Sequence, residues 1–130
     1  MRFQGRRGCR RAIKRAAAEA WVHAAGFRGI LWVEAPGDPY ALAARVASSG
    51  SVGRVVAVLA EVPSAVEPVR EAAVRLASDH VGAEERFCFR IHKRGKLGFQ
   101  EPASTLEREI GGAIWKALEQ RHRTQPRVDL

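Results

Sequence analysis

Cysteine is nearly missing from this sequence. Two occur in 130 residues, Cys9 and Cys88, with no C-x-x-C pair, and the four His are scattered. No disulfide framework or zinc site organises such a chain. The count permits one disulfide, but two distant free thiols in a reducing cytoplasm fit better. Long apolar runs are missing too. None approaches the about 20 residues of a membrane span, and no apolar segment follows the basic N-terminus as in a signal peptide. There is no G-x-x-x-x-G-K-[ST], no G-x-G-x-x-G, and no Ser-His-Asp, paired-carboxylate or Cys-His set. Nothing therefore points to a catalytic residue, a metal or a cofactor.

Lysine is scarce, with 4 Lys against 18 Arg, and the net charge is +8. Arginine's planar fork suits bidentate phosphate contacts, and a basic balance favours a polyanionic partner or simple solubility. Placement says more than the total. Residues 1–15 hold seven basic side chains and no acid, and residues 86–97 hold five and no acid. Between them, residues 34–85 carry eight acids against four Arg. Solubility alone does not require such blocks.

The apolar pattern predicts alternating strands and helices. Residues 2–7 are short, basic and extended. Ile13, Ala16, Ala17, Ala20, Trp21 and Ala24 form one stripe, which predicts a helix over 9–25 capped by Gly26. That helix is basic and Ala-rich, as in a transit peptide, but its core-type spacing marks folded structure. Gly29 to Ala35 reads as a buried strand. Asp38 caps a helix opened by Pro39. Val52 to Val62 reads as a central strand, apolar on both faces. Ser64 with Glu67, and Ser104 with Glu107, form capping boxes for the last two helices. His80 falls on the apolar face of the first of these, as a core histidine. Between the helices, Phe87, Phe89 and Ile91 alternate with Cys88, Arg90 and His92. Arg127 to Leu130 adds a short strand. The order is βαβαβαβαβ, an α/β chain in one domain or two small ones.

Two basic constellations are candidates for nucleic-acid contact. Lys93-Arg94-Gly95-Lys96 places three cations around a glycine turn, whose backbone N–H groups can approach a phosphate. Arg86, Arg90, His92 and Arg94 share one strand face, which is too charged to bury unpaired. The second run is Arg6, Arg7, Arg10, Arg11 and Lys14. Arg10 and Arg11 begin a helix, where the macrodipole disfavours cations and a nearby polyanion would offset the cost. Arg108, Gly111, Gly112 and Trp115 lie off the apolar stripe of the last helix, a face that another element or a ligand backbone would approach closely. Gly95-Lys96-Leu97-Gly98 fits the G-x-x-G clamp of KH domains, but a strand rather than a helix precedes it.

Several of these residues fall into a familiar order. Phe89-x-Ile91-x-Lys93-Arg94-Gly95, Gly98-Phe99, Leu106-x-Arg108-x-Ile110-Gly111 and Val128-Asp129-Leu130 together resemble the THUMP domain. This tRNA-binding module occurs in thiouridine synthetases, RNA methyltransferases, pseudouridine synthases and tRNA-acetylation adaptors. Arg7-Gly8 before a helix, and Gly29-Ile30-Leu31-Trp32-Val33 before Asp38-Pro39, are similar to the segment preceding THUMP in the adaptors. Those adaptors have no catalytic domain and present tRNA to a separate RNA cytidine acetyltransferase.

The resemblance implies a mixed sheet flanked by helices over 52–130, preceded by a small α/β segment over 1–51. It implies that Lys93, Arg94 and Lys96 lie in the family's basic turn, and Arg108 and Gly111 in its helix. The family's sheet usually continues past the Val-Asp-Leu motif, so the last strands are expected to be lacking. Gly98-Phe99-Gln100-Glu101-Pro102 stands where the family usually has His and Ser. The expected function is non-catalytic tRNA binding in the cytoplasm, without cofactor or membrane, and compatible with a homo-oligomer. The alternatives are an RNA-modifying enzyme subunit and a protein-interaction module.

Overall fold

The computed structural model describes residues 2–5, 9–24, 26, 30–48, 52–95 and 98–129, with the backbone alone at 2–5, 9, 10, 12, 16 and 52. The chain is mixed α/β and divides into two compact units, Met1–Leu59 and Ala60–Leu130.

The N-terminal unit contains β1 (Arg2–Gly5), α1 (Cys9–Ala16), β2 (Trp21–Ala24), β3 (Ile30–Glu34), α2 (Pro39–Ala47) and β4 (Val52–Val56). The strands form one antiparallel sheet in the order β2-β3-β1-β4. Ile13, Ala17, Ala20, Leu42 and Val46, from α1, its following turn and α2, bury against Val22 and Val33. Asp38 caps α2 as expected, its carboxylate accepting the Tyr40 N–H at 3.0 Å, with Pro39 in the first turn.

Two expectations change here. The helix predicted over 9–25 stops at Ala16, and β2 follows. Its Ala-rich stripe is satisfied differently. Ile13, Ala17 and Ala20 are buried through a short helix and a turn, and Val22 then pairs with Val33. Tertiary pairing thus overrides helix propensity. Gly26 caps no helix; its φ of +81° falls between β2 and β3. The run from Val52 is not a central strand either. β4 ends at Val56, stands at one end of the sheet and leaves Val56 46% exposed. It pairs with β1, so its backbone belongs to the N-terminal unit rather than to the region grouped as 52–130.

The C-terminal unit contains α3 (Val66–His80), β5 (Arg86–Phe87), α4 (Ala103–His122) and β6 (Arg127–Val128). Leu106, Ile110, Ile114 and Leu118 recur at every fourth residue along α4 and are fully or almost fully buried. Val66, Val69, Ala73, Val74 and Ala77 of α3 pack against them, with Phe87, Phe89, Ile91 and Phe99. Burial of each such side chain stabilises by roughly 1.5–3 kcal/mol. β5 and β6 pair in parallel, with Arg86 opposite Arg127 and Phe87 opposite Val128, and the Asp129 N–H extends the ladder to the Phe87 carbonyl at 2.8 Å.

Neither capping box forms. The residue before α3 is Ala65 and the residue before α4 is Pro102, and neither helix start has a side-chain cap. Ser64 and Glu107 are used by more distant backbone, while Glu67 pairs with Arg70 at 2.9 Å. His80 is exposed, not in the core. The histidine that joins the helices is His122, whose Nε2 lies 2.8 Å from the Val81 carbonyl oxygen just beyond α3. No helix among the described residues is long and apolar enough to cross a membrane.

Candidate nucleic-acid interface

The segment from β5 into the glycine turn is built by alternation. Phe87, Phe89 and Ile91 are half-buried on the α3–α4 core, while Arg86, Cys88, Arg90 and His92 are exposed. From Cys88 to Arg94 the chain has no regular secondary structure and no ladder partner among the described residues. Its apolar side holds it to the core, and one polar contact fixes its height along α4. Glu107 Oε1 accepts the Ile91 N–H at 3.0 Å, and Oε2 lies 3.6 Å from the Arg90 guanidinium.

The turn is then fastened at both ends. On entry, Lys93 donates from Nζ to the Glu101 carbonyl at 2.9 Å, and its ammonium lies 5.5 Å from the centre of the Phe99 ring. On exit, the Gly98 N–H donates to Ser64 Oγ at 3.2 Å. Gly95 has φ +70°, a left-handed conformation that a β-carbon disfavours. Lys93 and Arg94 therefore lie between two anchoring contacts.

The candidate cations differ in what they can still do. Arg94 is exposed and has no ion-pair partner among the described residues. Lys93 spends one of three donors on Glu101 and keeps two. Arg90 is about half exposed, but Glu107 already offsets part of its charge. Arg108 is exposed on α4. Lys96 lies outside the described residues. The other candidate run belongs to the N-terminal unit. There Arg11 is exposed, and Lys14 donates from Nζ to the Ala20 carbonyl in the turn closing α1. Arg6 and Arg7 lie outside the described residues, and of Arg10 only its backbone place in α1 is described.

The glycine pair in α4 is open. A Cβ built on Gly111 or Gly112 meets nothing within 4 Å. At these two positions no other element of the described residues makes the close approach that was one of the two expectations for that face. Among the described residues no group of three or more His, Cys, Asp or Glu is placed to hold a metal. Sequence reasoning missed the residues that brace the turn, namely Glu107, Ser64 and Phe99. Their partners lie 16 and 34 residues away for the two hydrogen bonds, beyond the reach of local spacing. Comparison with protein-family models, curated proteins and solved structures yields no match to this chain.

Proposed function

We propose that this chain is a non-catalytic tRNA-binding protein of the THUMP type, acting in the cytoplasm as an adaptor that presents tRNA to a separate modifying enzyme. An RNA cytidine acetyltransferase is the partner implied by the sequence resemblance, and a homo-oligomer is compatible with this role. The observation that carries the reading is the Lys93–Arg94–Gly95 turn. Its ends are anchored, its glycine is left-handed, and Arg94, with no ion-pair partner among the described residues, suits a bidentate contact with phosphate. Of the expected fold, the described residues of the C-terminal unit show the α/β class alone: a two-stranded parallel sheet, β5-β6, beside α3 and α4.

The mechanism needs no chemistry from the chain itself. Lys93, Arg94 and Lys96 would neutralise phosphates, and Arg108 would add a contact from α4. Neutralised phosphates release counterions, which supplies most of the affinity. Shape, or an unpaired RNA end, would supply selectivity. The test is tRNA affinity of the wild type and of a Lys93/Arg94/Lys96→Ala variant. A marked loss is expected in the variant; equal affinity would remove the turn from the interface. A modified nucleoside appearing with the purified chain alone would replace the adaptor reading with an enzymatic one.

A further inference from the structure

The sheet of the N-terminal unit has two faces, and among the described residues its helices cover one. Cross-strand partners point to the same side, so Val22, Leu31, Val33 and Val55 share the side closed by α1 and α2. Trp21, His23, Trp32, Glu34, Arg54 and Val56 share the other. On that open side three rings stand in a row across β2 and β3. The Trp21 and His23 centroids are 5.3 Å apart with their planes at 51°, and His23 and Trp32 are 6.5 Å apart at 16°. Trp21 is 68% exposed. A large ring held in water beside two others, rather than folded into the core, marks a contact surface.

The rings and the cation beside them select the occupant. Residues 1–59 carry ten basic side chains against three acidic, a net of +7, whereas residues 60–130 carry twelve against eleven, a net of +1. Among the described side chains, Arg11, Lys14, Arg15 and Arg45 lie on α1 and α2, whereas the ring side carries Arg54 and Glu34. Arg54 is exposed on the ring side of β4, and the backbone of Arg2 lies in register between Trp32 and Val56. An acidic protein would use the cations but has no need of a row of rings. A duplex would use the cations but keeps its bases stacked inside. A single strand offers both a phosphate and a π-face at each nucleotide. We propose that this open face is a stacking platform for unpaired RNA bases, with Trp21 its outermost ring and Arg54 its phosphate contact. The inference extends the RNA-binding reading but does not rest on the Lys93–Lys96 turn.

The experiment measures binding of a short labelled oligouridylate to the full chain by fluorescence anisotropy. Because Trp21 is exposed, Trp21→Ala should leave the thermal midpoint unchanged. It should weaken oligouridylate binding by about 5-fold or more, the loss of one stacked base, whereas Trp21→Phe retains most of the affinity. Lys93/Arg94/Lys96→Ala should bind oligouridylate as the wild type does. If the wild type binds oligouridylate but not tRNA, the adaptor reading falls and the platform stands. Equal affinity of Trp21→Ala and wild type overturns the platform, as does duplex RNA competing as well as the single strand. A wild-type dimer that Trp21→Ala converts to monomer would also overturn it, assigning the face to a second copy of the chain.

Discussion

Removing the Glu107 carboxylate should loosen the turn more than removing the cation beside it. In Glu107→Ala the Ile91 N–H loses its acceptor in a part-buried position. A hydrogen bond to a charged group contributes about 1.5–3 kcal/mol, and an unsatisfied buried donor costs about 1–3 kcal/mol. The Arg90 ion pair adds little, because Arg90 is 52% exposed at 3.6 Å and exposed pairs are worth about 0.2–1 kcal/mol. The expected order is Glu107→Ala losing about 2 kcal/mol, Glu107→Gln less because an amide oxygen can still accept, and Arg90→Ala about 0.5 kcal/mol. For a unit of this size, about 2 kcal/mol lowers the unfolding midpoint by roughly 8–16 °C. Trp115 lies in the C-terminal unit and Trp21 and Trp32 in the other. A Trp21→Phe, Trp32→Phe background therefore reports the C-terminal transition by fluorescence, and amide exchange at Ile91 reports the bond directly. Protection at Ile91 should fall in Glu107→Ala and persist in Arg90→Ala. Equal stability of Glu107→Ala and Glu107→Gln, with Ile91 still protected in both, would refute the reasoning.

Three further outcomes are expected. Gly112→Ala should raise stability by about 0.5–1 kcal/mol in thermal unfolding, since a helical Ala is favoured over Gly and a Cβ there meets nothing within 4 Å; a loss of stability would mean that the face is covered. Gly98→Ala should destabilise clearly in urea unfolding, because its Cβ would collide with the Ser64 carbonyl oxygen; a neutral result would detach the turn from Ser64. Glu19 titrates below an ordinary glutamate, held there first by a hydrogen bond with its own backbone N–H and then by Arg45. Its stabilising contribution is present above its unfolded pKa and lost as pH falls through the depressed folded value. The stability difference between wild type and Glu19→Gln should therefore shrink on acidification, and a difference constant into strong acid would contradict the pairing.

The parts of this fold legible in the sequence are those specified locally. Alternation from Arg86 to His92 survives as alternating exposure. Asp38 and Pro39 set the start of α2, and the stripe from Leu106 to Leu118 sets the buried face of α4. The parts that were not legible depend on distant partners. The Ala-rich stripe through Ala24 is compatible with a long helix, and only pairing of Val22 with Val33 converts its end to β2. Ser64 and Glu107 have the spacing of capping residues, yet the Gly98 and Ile91 N–H groups take their side chains. The ring row on the open sheet face was hidden for the same reason. Trp21 and Trp32 become neighbours of His23 only once β2 lies beside β3.

The central claim, that the basic turn binds tRNA through its phosphates, is tested most directly by salt dependence. If about four phosphates are neutralised, log K against log salt should have a slope of about −3.6, so affinity falls roughly 10²-fold between 50 and 200 mM salt. The Lys93/Arg94/Lys96→Ala variant should be weaker and should flatten the slope by up to about 2.7. Wild-type binding that does not change with salt, or a variant slope equal to that of the wild type, would contradict it.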